Sequence, residues 1–268
     1  MTEPTSAAPI TYSSYLALDD LLDCQRPLSG EHDEMLFVII HQTKELWLKQ
    51  IIHEVTLAKQ FIQAGDLPPA FKCLARVSRI QAVMTHSWDV LATMTPADYL
   101  AFRGSLGTSS GFQSHQFRRL EYLLGLKDAN FLKFHAERPG PLADLKAALD
   151  QPSLYDDAIR ALAGAGLAIP EAVLNRDVSQ PYAPSPAVED AWLEVYSDTT
   201  RYWALYELAE KLVDLDQRFQ LWRFAHLKTV ERIIGYKRGT GGSSGVAYLA
   251  KALELRFFPE LWSVRTSI

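Results

Sequence analysis

The sequence predicts an all-α fold. Apolar residues recur at three- and four-residue steps through long stretches, strand-like alternation is absent, and glycine and proline gather in a few short breaks between those stretches. Residues 1–11 (MTEPTSAAPIT) are small, polar and proline-containing, and read as a flexible arm. Ser29 is a candidate N-cap for a helical pattern that runs to about Ala64, with Glu31, Asp33 and Glu34 near its start, where the helix dipole favours acids. Leu36, Ile40, Trp47, Ile51, Val55, Ala58 and Ile62 form one apolar stripe, and Phe37, His41, Leu48 and Ile52 a second face. A helix apolar on two faces belongs deep inside a bundle.

Gly65-Asp66-Leu67-Pro68-Pro69 reads as a turn, 70–94 as a second long helix, and Thr95-Pro96 as the start of a short helix over 96–103. GSLGTSSG (104–111) is a loop, and helix resumes over 112–125, stopping at Gly125. Residues 126–190 are richer in Ala, Pro and Asp, with short helical stretches at 142–149, 154–163 and 169–174 and an extended QPYAPSP segment (180–186). They read as a small helical insertion, not an independent domain. Two strong helices are expected at 187–214 and 216–235, then a loop, GYKRGTGGSSG (235–245), and a last helix over about 246–256. The domain reading is an N-terminal arm, 1–16, and one helical domain, 17–268.

Composition narrows the function. With 268 residues and 48% hydrophobic content the chain can bury a core large enough to enclose a cofactor. Lys and Arg number 27 against 32 Asp and Glu, a net charge of −5, so the basic excess of a non-specific nucleic-acid binder is missing. Two distant cysteines, Cys24 and Cys73, exclude a disulfide scaffold, a CxxC redox pair, a four-cysteine zinc site and the C-x-x-C-H attachment of covalent haem. No apolar run approaches the length of a membrane helix, and the first basic residue is Arg26, so a cytoplasmic protein without membrane contact is expected.

Several familiar sites fail on spacing. No Glu-x-x-His occurs, which excludes a paired di-iron bundle motif. His53-Glu54 opens like HExxH, but position 57 is Leu. GTGGSSG (239–245) lacks the Gly-Lys-Ser/Thr of a P-loop and follows a helix; it is either a structural loop or a backbone-lined ligand pocket. His226 shares an apolar helical face with Phe219, Trp222, Val230 and Ile233, and His41 shares one with Phe37 and Leu48. Each is either a core histidine bonded to a carbonyl or a ligand; two on separate long helices raise the possibility of a haem between them. Arg103 follows Tyr99 by one helical turn at the edge of a Gly-rich loop. It is either a surface arginine or a bidentate carboxylate clamp.

HDEMLFVIIHQTKELWLKQIIHE (32–54), SSGFQSHQFRRLEYLLG (109–125) and WRFAHLKTVERIIGYKRGTGGSSGVAYLAKALELRFFPELWSVRT (222–266) closely resemble the tryptophan 2,3-dioxygenase family, and TYSSYLALDDLLDCQRPLS (11–29) fits its N-terminal block. The resemblance runs from about Tyr12 to Thr266, with only 126–190 matching loosely. It implies a helical bundle enclosing one non-covalent b-type haem per chain, active as ferrous, in a homotetramer. It further implies that L-tryptophan and O2 give N-formyl-L-kynurenine, the first step of tryptophan degradation through kynurenine.

Residue by residue, the resemblance places the proximal haem ligand on His226 and the distal histidine on His41, with Phe37 lining the same pocket. It places the substrate carboxylate on Tyr99 and Arg103, an apolar wall on Leu106 and the ammonium contact on Thr240. Tyr12 and Tyr15 match tyrosines that reach a neighbouring subunit's site; His115 is given no role. Val38, Ile39 and Ile40, beside Phe37, also suit an indole. His41 is expected to orient the indole N–H or to act as a base. Two competing readings are a haem monooxygenase acting on an indole amino-acid derivative and a non-catalytic haem-binding sensor. A sensor needs no amino-acid clamp, so Arg103 and Thr240 argue against it.

Overall fold

Helix follows helix along the computed structural model, which describes residues 9–242 and 244–268. The helices are α1 (Tyr12–Leu16), α2 (Leu18–Leu22), α3 (His32–Gln63), α4 (Leu67–Leu91), α5 (Pro96–Arg103), α6 (His115–Leu124), α7 (Pro139–Leu149), α8 (Leu154–Gly164), α9 (Glu171–Leu174), α10 (Pro186–Ser197), α11 (Trp203–Ile233), α12 (Val246–Ala252) and α13 (Pro259–Ser263). Among the described residues no strand occurs, and no helix is long and apolar enough to cross a membrane.

The bundle is organised around α4, which packs along both α3 and α11. Ile51, Val55 and Ala58 of α3, Leu74 and Val77 of α4, and Leu208, Leu212 and Leu215 of α11 fill the main core at helical spacing. The 126–190 segment is built into that core: Leu154, Tyr155, Ala158, Ile159 and Leu162 of α8 are fully or almost fully buried. Buried Lys127 donates to the carbonyls of Ala148, Leu149 and Gln151, so its ammonium caps the end of α7.

The structure moves several expected boundaries. Ser29 is not the N-cap of α3; that position is Glu31, which makes no side-chain cap bond. Instead the Glu34 carboxylate reaches back to the backbone N–H groups of Leu28 and Ser29 and to the Ser29 hydroxyl. Those bonds hold the Glu34 carboxyl below the usual carboxylate range. α4 starts at Leu67, because Pro68 and Pro69 sit in its first turn, where a missing N–H costs little. Helix over 112–125 begins at His115, capped by Ser114.

The expected break between 214 and 216 lies instead at 198–202, where Asp198 Oδ1 accepts the Arg201 N–H. Asp216 is in mid-helix with a fully buried side chain, accepting the backbone N–H groups of Phe257 and Phe258 and the indole N–H of Trp262. It stays helical because its carboxylate is consumed by the C-terminal segment, not by its own backbone. The last expected helix ends at Ala252, and α13 follows, its Glu260 accepting from Tyr155, Tyr182 and the Ser185 N–H. Of the expected arm, 1–8 lie outside the described residues, and Thr11 caps α1 through a reciprocal bond pair with Ser14.

Candidate functional site

A second, smaller core closes one end of the bundle. Ile40 of α3, Trp88 and Leu91 of α4, Met94 of the α4–α5 connection, Tyr99 and Phe102 of α5, and Ile233 of α11 are buried together, with Phe37, Leu106 and Trp222 packed against them. It joins four helices that are remote in sequence and gives the candidate residues a common apolar floor. A hollow of about 650 Å³ at the other end, near Ile62, Arg160 and Tyr202, is lined by none of them.

Phe37 and His41 lie one turn apart on α3, their rings 4.2 Å apart, and Phe37 also touches Tyr99 and Phe102 at 6.1 and 5.6 Å. His41 Nδ1 is 2.7 Å from the Phe37 carbonyl oxygen. A carbonyl only accepts, so Nδ1 carries the proton and Nε2 keeps its lone pair. His41 presents accessible surface, yet crowding by the surrounding protein still lowers its pKa to about 4, aided by the charge of Lys44. Of the neighbouring aliphatics, Ile40 is in the floor, Val38 is on the flank and Ile39 is exposed. Two residues along a helix is about 200°, so Ile39 faces away from Phe37. The structure brings Phe37 and Ile40 together at this end and leaves Ile39 outside.

Tyr99 and Arg103 come from α5, which is held by a capping box of Thr95 and Asp98 and contacts both α3 and α11. Burial raises the Tyr99 pKa, against the opposing charge of Arg103. Arg103 Nη2 donates to the Arg238 carbonyl at 2.7 Å, and the Thr240 hydroxyl donates to the Ser109 carbonyl. The two loops that looked unrelated in sequence, 104–111 and 235–245, are therefore clasped twice. A Cβ on Gly241 would collide with Ser110, so only glycine allows this approach. Between the loops a cleft of about 340 Å³ is lined by Thr108, Ser110, Phe112, Phe134, Thr240 and Gly242, among others.

His226 lies on α11 with its ring stacked on Trp88 at 4.5 Å and 10°, and against Trp222 at 5.5 Å. Neither of its nitrogens makes a hydrogen bond among the described residues. Desolvation, then the charges of Lys44 and His41, lowers its pKa to about 3, so the imidazole is neutral with a free lone pair. That is the state of a metal ligand. Among the described residues no group of three His, Cys, Asp or Glu gathers to hold a bare ion. A porphyrin brings four nitrogen ligands of its own and needs one from the protein. Its acidic arms also suit the buried N–H donors without partners here, Trp88 Nε1 and Trp222 Nε1.

Tyr12 and Tyr15 are not brought to this site within one chain. Both stand on α1, 75% and 77% exposed, and share no hydrogen bond or ring contact with the other candidates. The sequence gives Trp222 only as an apolar neighbour of His226 on its helix and assigns nothing to Trp88 or Lys44. The signal for Lys44 was present: Ile40, Lys44 and Leu48 are spaced by four on an apolar face, where a lysine is out of place.

The model of the tryptophan 2,3-dioxygenase family matches residues 2–149 and 147–268. A tryptophan 2,3-dioxygenase of Caulobacter vibrioides is 67% identical over 262 residues, covering 98% of this chain and 100% of the relative. Proteins of the same name from Bacillus cereus and Bordetella parapertussis are 57% identical over 259 residues and 56% over 262, covering 97% and 98% of this chain and 93% and 92% of the relatives.

Proposed function

Because the chain belongs to the tryptophan 2,3-dioxygenase family, we propose that it opens the pyrrole ring of L-tryptophan with O2 to give N-formyl-L-kynurenine, using one non-covalent haem per chain. The observation that carries this reading is the convergence at one end of the bundle. An apolar floor and a neutral histidine with a free acceptor lie there, Arg103 stands beside Tyr99 of that floor, and its bond to the Arg238 carbonyl ties it to the loop that carries Thr240. An indole amino acid presents the complementary set: an apolar ring, one N–H donor, a carboxylate and an ammonium.

His226 would hold the iron. When bound, haem supplies the ferrous centre at which O2 is activated, and both oxygen atoms enter the product. The chain's own groups position the substrate. Arg103 takes the carboxylate through its planar fork, beside the Tyr99 hydroxyl. Thr240 keeps its donation to the Ser109 carbonyl and accepts from the ammonium through an oxygen lone pair. Phe37, Ile40 and Leu106 enclose the indole and exclude water. His41 Nε2 accepts the indole N–H, which fixes the ring's rotation and brings its 2,3 double bond to the reacting face. His41 acts by orientation, since an indole N–H is a very weak acid. Tyr12 and Tyr15 complete the site of a neighbouring subunit in a homotetramer.

The direct test is to mix the reduced, haem-loaded protein with L-tryptophan in air and follow product by absorbance and mass. A product heavier than tryptophan by two oxygen atoms, with N-formylkynurenine absorbance, is expected. Addition of a single oxygen would show a monooxygenase, and no turnover with intact haem a sensor.

A further inference from the structure

Three N–H donors next to His226 are buried without an acceptor: Lys44 Nζ, Trp88 Nε1 and Trp222 Nε1. Lys44 is the unusual one. It is only 7% exposed, takes part in no salt bridge among the described residues, and lies on α3 one turn after His41. Its Nζ sits 2.9 Å from the centre of the Trp88 ring, the same ring that stacks on His226. The π face offsets part of the cost of burying an ammonium, but leaves its N–H groups unanswered. The other buried cations among the described residues are answered: Lys59 by Asp157 and the Pro152 carbonyl, Lys127 by three carbonyls, Arg118 and Arg223 by Glu121. Lys44 alone among them waits for an anion.

That anion must reach the Trp88–His226 pair. The substrate carboxylate is drawn to Arg103 on the clasped loops, and a substrate ammonium would repel Lys44. A group seated on His226 that carries its own carboxylates meets the requirement. We propose that Lys44 is the counter-ion of a haem propionate, with the indole N–H groups of Trp88 and Trp222 as neutral donors beside it. The proposal rests on the haem reading above and adds to it the residue that recognises the acidic edge of the macrocycle. Lys44 is thus an anchoring residue, separate from the iron ligand and from the substrate clamp.

The experiment measures haem loss from the full-length holoprotein to an excess of apomyoglobin, for the wild type, Lys44→Met and Lys44→Arg. Each is loaded either with haem or with its dimethyl ester, which lacks the propionate charges. Lys44→Met is expected to lose haem about tenfold faster or more, because one partner of a buried charge pair is gone. Lys44→Arg should stay close to the wild type, and with the ester all three should lose the macrocycle at similar rates. Equal acceleration of haem and ester in Lys44→Met would mean a packing role and would overturn the proposal, as would no acceleration with haem. A wild type that binds neither macrocycle, with no Soret band, would instead defeat the haem reading itself. A wild type that binds both while Lys44→Met behaves identically defeats only the role of Lys44.

Discussion

The tautomer of His41 is set by a single backbone oxygen, and a pH dependence follows from it. With Nδ1–H committed to the Phe37 carbonyl, Nε2 accepts only while the ring is neutral. The folded pKa is lowered to about 4, so the acceptor is present above that value and lost as pH falls through it. The pH profile of kcat/KM for L-tryptophan is therefore expected to show no His41 break between about pH 5.5 and 8. A break near 6.5 that disappears in His41→Ala would contradict this. His41→Ala should keep haem and cost about 1–3 kcal/mol with tryptophan, and less with 1-methyltryptophan, which has no N–H to offer. Arg103 gives a second residue-scale expectation. Arg103→Ala and Arg103→Lys should each lose about 2–5 kcal/mol in kcat/KM for L-tryptophan while keeping the Soret band. Tryptamine lacks the carboxylate, so it should be poor with the wild type and little worse with the variants. Equal damage to both substrates would make Arg103 structural.

At the scale of elements, the clasp between the 104–111 and 235–245 loops depends on how closely Gly241 approaches Ser110. Gly241→Ala must part the loops or displace Ser110, and should cost about 1–3 kcal/mol, read as a raised KM with haem retained. Ser110→Gly in the same chain should recover part of it; no recovery would place the effect elsewhere. Asp216→Ala strands three donors at once, two of them buried, and should cost roughly 3–5 kcal/mol in denaturant unfolding, with Asp216→Asn milder. The helices themselves were largely legible, because their stripes span many turns. The displaced break at 198–202 was not, since nothing local says that Asp216 is spent on Phe257, forty-one residues away. The site was legible in part. Phe37 with His41 and Tyr99 with Arg103 sit one helical turn apart, which puts each pair on one face, and their roles enter only through the family resemblance, whereas the Arg238 carbonyl and the Ser109 carbonyl enter through the backbone, which has no sequence signature.

On the scale of the whole molecule, one chain leaves Tyr12 and Tyr15 facing outward while Phe37, Ile40, Tyr99 and Leu106 gather at one end of the bundle. If the N-terminal segment completes a neighbour's site, deleting residues 1–16 should weaken tryptophan binding and spare haem. Co-assembly of that truncated chain with a full-length Arg103→Ala chain should then restore activity above either parent, because intact arms and intact clamps are combined in trans. Activity no higher than the parents would show that each subunit works alone.

The two cysteines bear on that same question by way of labelling chemistry. Cys73 is buried, and desolvation, with Glu54 nearby, raises its pKa, so little thiolate is available. Cys24 is exposed, close behind α2 and eight residues from the end of α1. A maleimide dye should therefore attach at one position in each subunit without any engineered cysteine. It would ride on the segment that carries Tyr12 and Tyr15, and energy transfer between dyes on different subunits would report where that segment docks and whether substrate draws it in.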